Sequence, residues 1–226
     1  MKRAKIGKYE TLDFFGSEAF NAISSNILFA GRGIQKILIT SCNAREGKSY
    51  TAQQLLWTFA KRGKQTLLID ADLRRSNLIS EVGFQVNDKI LGLAHYLTGQ
   101  CDVEQAIYQT DIPYAHIMPI GRILKNPIPI LALPEFSQML DTLAATFDVI
   151  LVDTPPLGAV IDAAEIARSC DGAVIVAEYD KTRRRDLIRA RALIDQTECP
   201  ILGCVINKMK MDTFDAKRYY QYSEYY

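Results

Sequence analysis

"SCNAREGKSYT", residues 41–51, stands between a short apolar run rich in β-branched residues, "KILITS" (36–41), and a stretch with helical periodicity, "SYTAQQLLWTFAKRG" (49–63). A Gly-Lys-Ser that follows a strand and opens a helix is in the context of a phosphate loop. There the backbone N–H groups and the helix N-terminus face phosphate oxygens. Lys48 supplies positive charge to the outer phosphates, and Ser49 supplies a hydroxyl for magnesium. The match is partial, because Cys42 occupies the position five residues before Gly47 where the standard pattern has glycine. Alone, Gly-Lys-Ser is equally the polar start of any helix, so the reading depends on the rest of the chain.

Two further strands supply what it needs. "TLLIDADLR" ends on Asp70 and Asp72, and "VILVDTPP" places Asp153 after four apolar residues. Three carboxylates at strand ends beside a phosphate loop suit a magnesium–ATP site. Strands at 36–41, 65–72, 148–153, 172–178 and 200–207 alternate with helices at 49–63, 134–146, 160–169 and 182–197. Near-continuous apolar strands between helices predict an α/β fold, a mostly parallel sheet covered on both faces. Sites in such sheets lie beyond the carboxyl ends of the strands. A first helix is expected over 17–31, opened by Ser17. Residues 73–130 read as mixed, with helical patterns near 91–98 and 102–109, a strand at 115–120 and a turn-rich "NPIPILALP" at 126–134.

The chain has 226 residues, 27 Lys+Arg against 26 Asp+Glu, and a net charge of +1, which argues against nucleic acid as a partner. Its five cysteines form no CxxC pair and its two histidines lie far apart, so no zinc spacing is present and reduced thiols in a cytoplasmic setting are expected. No apolar run approaches the length of a membrane helix, about 20 residues. The basic start "MKRAKIGKYE" reads as a frayed terminus, or as a weak attraction to an anionic membrane face or acidic partner.

The other end is unusual. Tyr219, Tyr220, Tyr222, Tyr225 and Tyr226 occupy five of the last eight positions, against six tyrosines in the preceding 218. Residues 208–226 show no buried-face period and are expected to form a mobile tail on a single domain spanning 1–207.

"EGKS", "LLIDADLRR", "FDVILVDTPPLGAVIDAA" and "GCVINK" together resemble the bacterial tyrosine kinases, from about residue 17 to the C-terminus. The resemblance implies a phosphate-loop ATPase fold of the deviant Walker type, shared with septum-site and plasmid-partition ATPases. It implies an ATP- and Mg2+-dependent protein-tyrosine kinase that autophosphorylates the tyrosine cluster 219–226 and regulates capsule or exopolysaccharide synthesis and chain length. The nucleotide would lie against Glu46, Gly47, Lys48, Ser49 and Tyr50, with Asn207 and Lys208 at the adenine. Ser49, Asp72 and Asp153 would hold magnesium, Lys48 the β- and γ-phosphates, and Asp70 would accept the proton of the incoming tyrosine. The implied partners are the cytoplasmic tail of a membrane polysaccharide co-polymerase, which would recruit the kinase to the inner face of the membrane, a cognate tyrosine phosphatase, and further copies in a homo-oligomer.

Departures from the family pattern leave alternatives open. Arg45 replaces a usual glycine, and is read as an obstruction, as a side chain turned outward, or as an added cation near the γ-phosphate. Tyr50 replaces a usual threonine. Asn21 and Ser24 stand where the first helix of the family carries ring-forming arginines. Asn207 and Lys208 are equally a simple strand-end turn. Arg74 and Arg75 either steer the acidic, phosphorylated tail, orient the aspartates, or form surface ion pairs of little worth. The basic "KTRRRDLIRAR" (181–191) is either a solvated face or a contact with an acidic neighbour. Two other functions compete: a non-catalytic ATP-binding adaptor of a polysaccharide assembly complex, and a positioning ATPase. Asn43 stands where positioning ATPases carry a signature lysine, and the tyrosine tail has no role in that reading.

Overall fold

The structure, a computed structural model, describes residues 1–31 and 33–209. The expected tail therefore lies outside the described residues from position 210 onward. Nine strands form one sheet: β1 (Lys2–Ile6), β2 (Lys36–Ser41), β3 (Thr66–Asp70), β4 (Phe84–Gln85), β5 (Tyr108–Thr110), β6 (Ala115–Met118), β7 (Val149–Asp153), β8 (Gly172–Glu178) and β9 (Ile201–Asn207). Their order is β4-β1-β5-β6-β3-β7-β2-β8-β9. All neighbours run parallel except β1 with β4 and β5 with β6. Helices flank the sheet: α1 (Phe14–Phe29), α2 (Lys48–Lys61), α3 (Leu78–Glu81), α4 (Leu93–Leu97), α5 (Val103–Ala106), α6 (Ile128–Leu131), α7 (Pro134–Ala144), α8 (Asp162–Ala167) and α9 (Arg184–Asp195). Two apolar cores result, one on each face of the sheet, as the continuous apolar strands require.

The helix that positions the site is α2. Every residue from Thr51 to Ala60 is buried, packed against the sheet beneath and α1 across it. Arg62, just past its end, donates to Ser24 Oγ at 2.7 Å and Ser25 Oγ at 3.0 Å on α1. Ser24 and Asn21 are thus satisfied within the chain, Asn21 through Glu18 at 3.1 Å.

Several expectations need correction. Helix α1 begins at Phe14 and is capped by Asp13, whose carboxylate accepts from Gly16 N, not by Ser17. The pattern at 102–109 splits into α5 and strand β5, because Tyr108 is fully buried and its hydroxyl accepts from Leu91 N at 2.9 Å. Within the turn-rich 126–134 lies the single turn α6. The N-terminus is not frayed through residue 6: β1 pairs in parallel with β5, Ala4 and Ile6 enter the core, and Arg3 and Lys5 face solvent.

That strand is testable. Ile6→Ala should destabilise the protein by about 2–3 kcal/mol in urea unfolding, the cost of a truncated core side chain. A frayed terminus would show a change within about 0.5 kcal/mol.

Candidate active site

Strands β3 and β7 lie side by side, and their register pairs Asp70 with Asp153. In a parallel pair, residues in register project from the same face, so two carboxylates end adjacent strands together. Both are buried, at 1% and 2% exposure. Strand β2, next to β7, leads into residues 42–47, and Gly47 turns the chain into α2 with φ 95°. Only glycine adopts that conformation freely. The first residue of α2, Lys48, then reaches back over the strand ends. Its Nζ lies 3.3 Å from Asp153 Oδ1, 3.5 Å from Asp72 Oδ2 and 3.0 Å from Ser49 Oγ. Lys48, Ser49, Asp70, Asp72 and Asp153 are therefore assembled in one cleft, from three separate segments.

The electrostatics follow from that crowding. Burial opposes the charge of Lys48, yet Asp153, Asp72 and Asp70 together outweigh it and hold the ammonium above the ordinary lysine value. Burial pushes the Asp70 carboxyl well above the usual carboxylate range and Asp153 adds to the push, while the Ser76 hydroxyl and Lys48 oppose it. Asp153 is raised by burial too, against the pull of Lys48 and Ser49. These directions have one cause. The lysine gains from three carboxylates, whereas Asp70 and Asp153 have only a share of one ammonium to set against their burial and like-charged neighbours.

The Asp70–Asp72 segment is braced. Ser76 Oγ donates to Asp70 Oδ2 and accepts from Leu78 N, and Asp70 Oδ1 accepts from Asp72 N at 3.3 Å. Arg74 forms a two-point pair with Asp162, Nε to Oδ2 at 2.7 Å and Nη2 to Oδ1 at 3.0 Å, and donates to Lys125 O. Asp162 opens α8 and its side chain is fully buried, so Arg74 is a tie to the segment after β7 rather than a surface pair. Arg75 N donates to Asp72 Oδ1 at 3.1 Å.

Residues 42–47 are braced from the far side. Glu46, buried, accepts from Asn43 N and Nδ2 and from Thr182 Oγ at 2.6 Å. Asn207 Nδ2 donates to Glu46 O at 3.0 Å, and Lys208 Nζ to Arg45 O at 2.6 Å and Glu178 Oε2 at 2.9 Å. Asn207 and Lys208 thus grip the loop backbone. Arg45 is exposed, with φ 67°, so its backbone takes the left-handed conformation that a glycine would take at no cost. Tyr50 packs edge-on against Phe20. Along α9, Arg185 pairs with Asp186 and Arg191 with Asp195.

A cavity of about 890 Å3 opens over the aspartates and takes in Arg45, Gly47, Lys48, Ser49 and Tyr50. Among the described residues, no group of three or more His, Cys, Asp or Glu is placed to hold a metal by itself. Magnesium asks for less, typically one or two carboxylates with phosphate oxygens and water completing an all-oxygen shell. Asp72, Asp153 and the Ser49 hydroxyl fit that requirement.

Ser76, Asp162 and Thr182 escaped sequence reading. Each acts through a partner distant in sequence or on a loop, so no local spacing marks it.

Comparison with known proteins agrees with this geometry. A family profile described as an AAA domain matches residues 35–183. The septum-site-determining protein of Pyrococcus horikoshii, solved with Mg-ADP, superposes with a TM-score of 0.65 at 22% identity, covering 82% of this chain and 76% of that one. The fold is therefore that of the phosphate-loop NTPases. The tyrosine-protein kinase CpsD of Streptococcus pneumoniae serotype 4 is 37% identical over 192 residues, 85% of this chain and 84% of that protein. The crystal structure of the chimerical protein CapA2B2 has a TM-score of 0.83 at 28% identity, covering 93% of this chain and 95% of that chain. The chain belongs to the bacterial tyrosine kinases. Among the described residues no helix is long and apolar enough to cross a membrane.

The Arg74–Asp162 tie has a measurable consequence. Arg74→Ala strands a fully buried carboxylate and should cost about 3 kcal/mol. The double variant Arg74→Ala/Asp162→Ala should recover part of that loss in a urea double-mutant cycle, whereas two independent surface groups would simply add.

Proposed function

We propose that the chain is an ATP-dependent protein-tyrosine kinase that phosphorylates its own C-terminal tyrosine cluster, Tyr219, Tyr220, Tyr222, Tyr225 and Tyr226. The observation that carries this reading is the assembly of Lys48, Ser49, Asp70, Asp72 and Asp153 in one cavity, in a chain whose relatives are named tyrosine-protein kinases.

The residues would divide the work as follows. The N-terminus of α2 and the loop backbone through Glu46 and Gly47 hold the phosphates, with Tyr50 behind them. Lys48 releases its carboxylate partners and neutralises the outer phosphate oxygens. Asp72, Asp153 and Ser49 would hold magnesium, which supplies further charge neutralisation on the phosphates. Asp70, whose two oxygens are oriented by Ser76 and Asp72 N, takes the phenol proton as the tyrosine oxygen bonds to the γ-phosphorus. The bond from the γ-phosphorus to the bridging oxygen breaks, and ADP leaves with that electron pair. A phenol has a pKa near 10, so the carboxylate is needed to receive its proton during attack. The rest of phosphoryl transfer is positioning and electrostatics. Asn207 and Lys208 reach the nucleotide's base only by way of the loop they grip, or after leaving it.

The same reading assigns a cytoplasmic kinase in capsule or exopolysaccharide synthesis. It would be recruited and switched on by the cytoplasmic tail of a membrane co-polymerase, reset by a tyrosine phosphatase, and able to meet further copies of itself.

Intact-mass spectrometry after incubation with magnesium and ATP, with and without a peptide from a candidate activator tail, tests it. A ladder of phosphate additions is expected, lost when the chain is cut after Lys217. Lys48→Ala should slow it by roughly two orders of magnitude or more. Asp70→Asn should keep ATP binding and slow transfer by about 10²- to 10⁴-fold. ATP binding with no added phosphate under either condition would point instead to an ATP-binding adaptor.

A further inference from the structure

The cavity over the aspartates does not end at them. It continues along α2 past Gln53 to Trp57 and Tyr9. From Ser49 to Trp57 is eight residues, about 12 Å of helix rise. The opposite wall is residues 8–10. Lys8 N bonds to Val82 O at 3.0 Å, Gly7 N to Gly83 O at 2.9 Å, and Lys8 Nζ to Ser80 O at 3.1 Å, so the wall is anchored. Gln53 Nε2 reaches across to Glu81 at 3.0 Å. At the far end the Tyr9 ring stands edge-on to Trp57, with centroids 5.7 Å apart, and Lys61 Nζ lies 5.5 Å from the Tyr9 centroid. Trp57 is buried beneath it, and Tyr9, 38% exposed, is the ring that faces the groove's open end.

The groove is thus polar and catalytic at one end and aromatic at the other. Its length suits three to four residues of extended peptide, at about 3.3 Å each. The C-terminal segment has that period. Tyr219, Tyr222 and Tyr225 recur at every third residue, the repeat that puts rings on one face of a polyproline-II peptide, about 9 Å apart. The last described residue, Met209, follows Lys208, which holds Arg45 O at the edge of this cavity.

We propose that the groove along α2 is the acceptor-peptide subsite, and that Tyr9, seated on the buried Trp57, receives the tyrosine ring three residues from the one being phosphorylated. The occupant is the C-terminal segment 218–226 of this chain. Edge-to-face contact with Tyr9 and the nearby Lys61 cation would hold the flanking ring. Tyr9 is a specificity residue here and does no chemistry. The assignment rests on the kinase reading and deepens it.

The test uses full-length chain with its five tail tyrosines changed to alanine, under the conditions that give the phosphate ladder above. The substrates are two peptides of residues 217–226 with Tyr222 as sole acceptor. One carries phenylalanine at 219 and 225, the other alanine at both, and both carry alanine at 220 and 226. The alanine peptide should show a KM about tenfold higher, the value of one lost aromatic contact, with kcat within about twofold. In Tyr9→Ala the two peptides should converge on the higher KM, and Tyr9→Phe should restore the difference. The KM for ATP is read in parallel. Equal KM values for the two peptides overturn the subsite, as does a penalty undiminished by Tyr9→Ala, or a rise in the KM for ATP matching that for peptide. Failure of the phosphate ladder itself would remove the kinase reading instead.

Discussion

Three carboxylates in one buried cleft are stable only because Lys48 stands among them. Two like charges about 4 Å apart repel by roughly 4 kcal/mol at the effective dielectric of a protein site, and burial adds to the cost. The sheet register makes the crowding unavoidable, since β3 and β7 end on Asp70 and Asp153 in the same row. The lysine answers it from α2, a helix walled by core along ten consecutive residues and so fixed in place. Burial, with like-charged neighbours adding to it, makes Asp70 and Asp153 both hold their protons more tightly than free aspartate, and the single ammonium does not offset it. A site built this way favours whatever brings further positive charge.

The surrounding contacts keep the carboxylates from relaxing apart. The Asp70–Asp72 turn is held by Ser76 from within and by the Arg74–Asp162 pair from the chain after β7. Asp162 is fully buried, so that pair fixes the relative position of the two strand ends rather than decorating a surface. A two-point guanidinium contact to a buried carboxylate is geometrically selective. That is what a cleft with 3.3–3.5 Å cation–carboxylate spacings requires.

The centre of the sheet was legible because parallel strands covered on both faces read as unbroken apolar runs, and four of them carry or precede the functional residues. The margin was not. Strand β1 is five residues long, and its alternation of Ala4 and Ile6 with Arg3 and Lys5 is a correct strand signal hidden in a basic terminus. Strand β5 is three residues long, too short for any period. Lys48, Ser49 and the aspartates were visible because strand ends and a helix start mark them. Ser76, Asp162, Thr182, Tyr9 and Trp57 belong to the site's surroundings through contacts between distant segments, which spacing cannot encode.

The phosphate loop shows how a departure from a motif can be absorbed. Arg45 holds φ 67° where glycine would cost nothing, a strain on the order of 1 kcal/mol. The loop keeps that shape because its own carbonyls are tied down, Arg45 O by Lys208 and Glu46 O by Asn207. Gly47 belongs to the same arrangement. A Cβ there would lie 1.9 Å from Asn207 Nδ2, so the glycine is demanded by the end of β9 as well as by its left-handed backbone. Glycine in such loops is usually explained by the approach of phosphate. In this chain the approach of its own last strand is sufficient cause, and it makes the loop's shape depend on residues that immediately precede the tyrosine-rich segment.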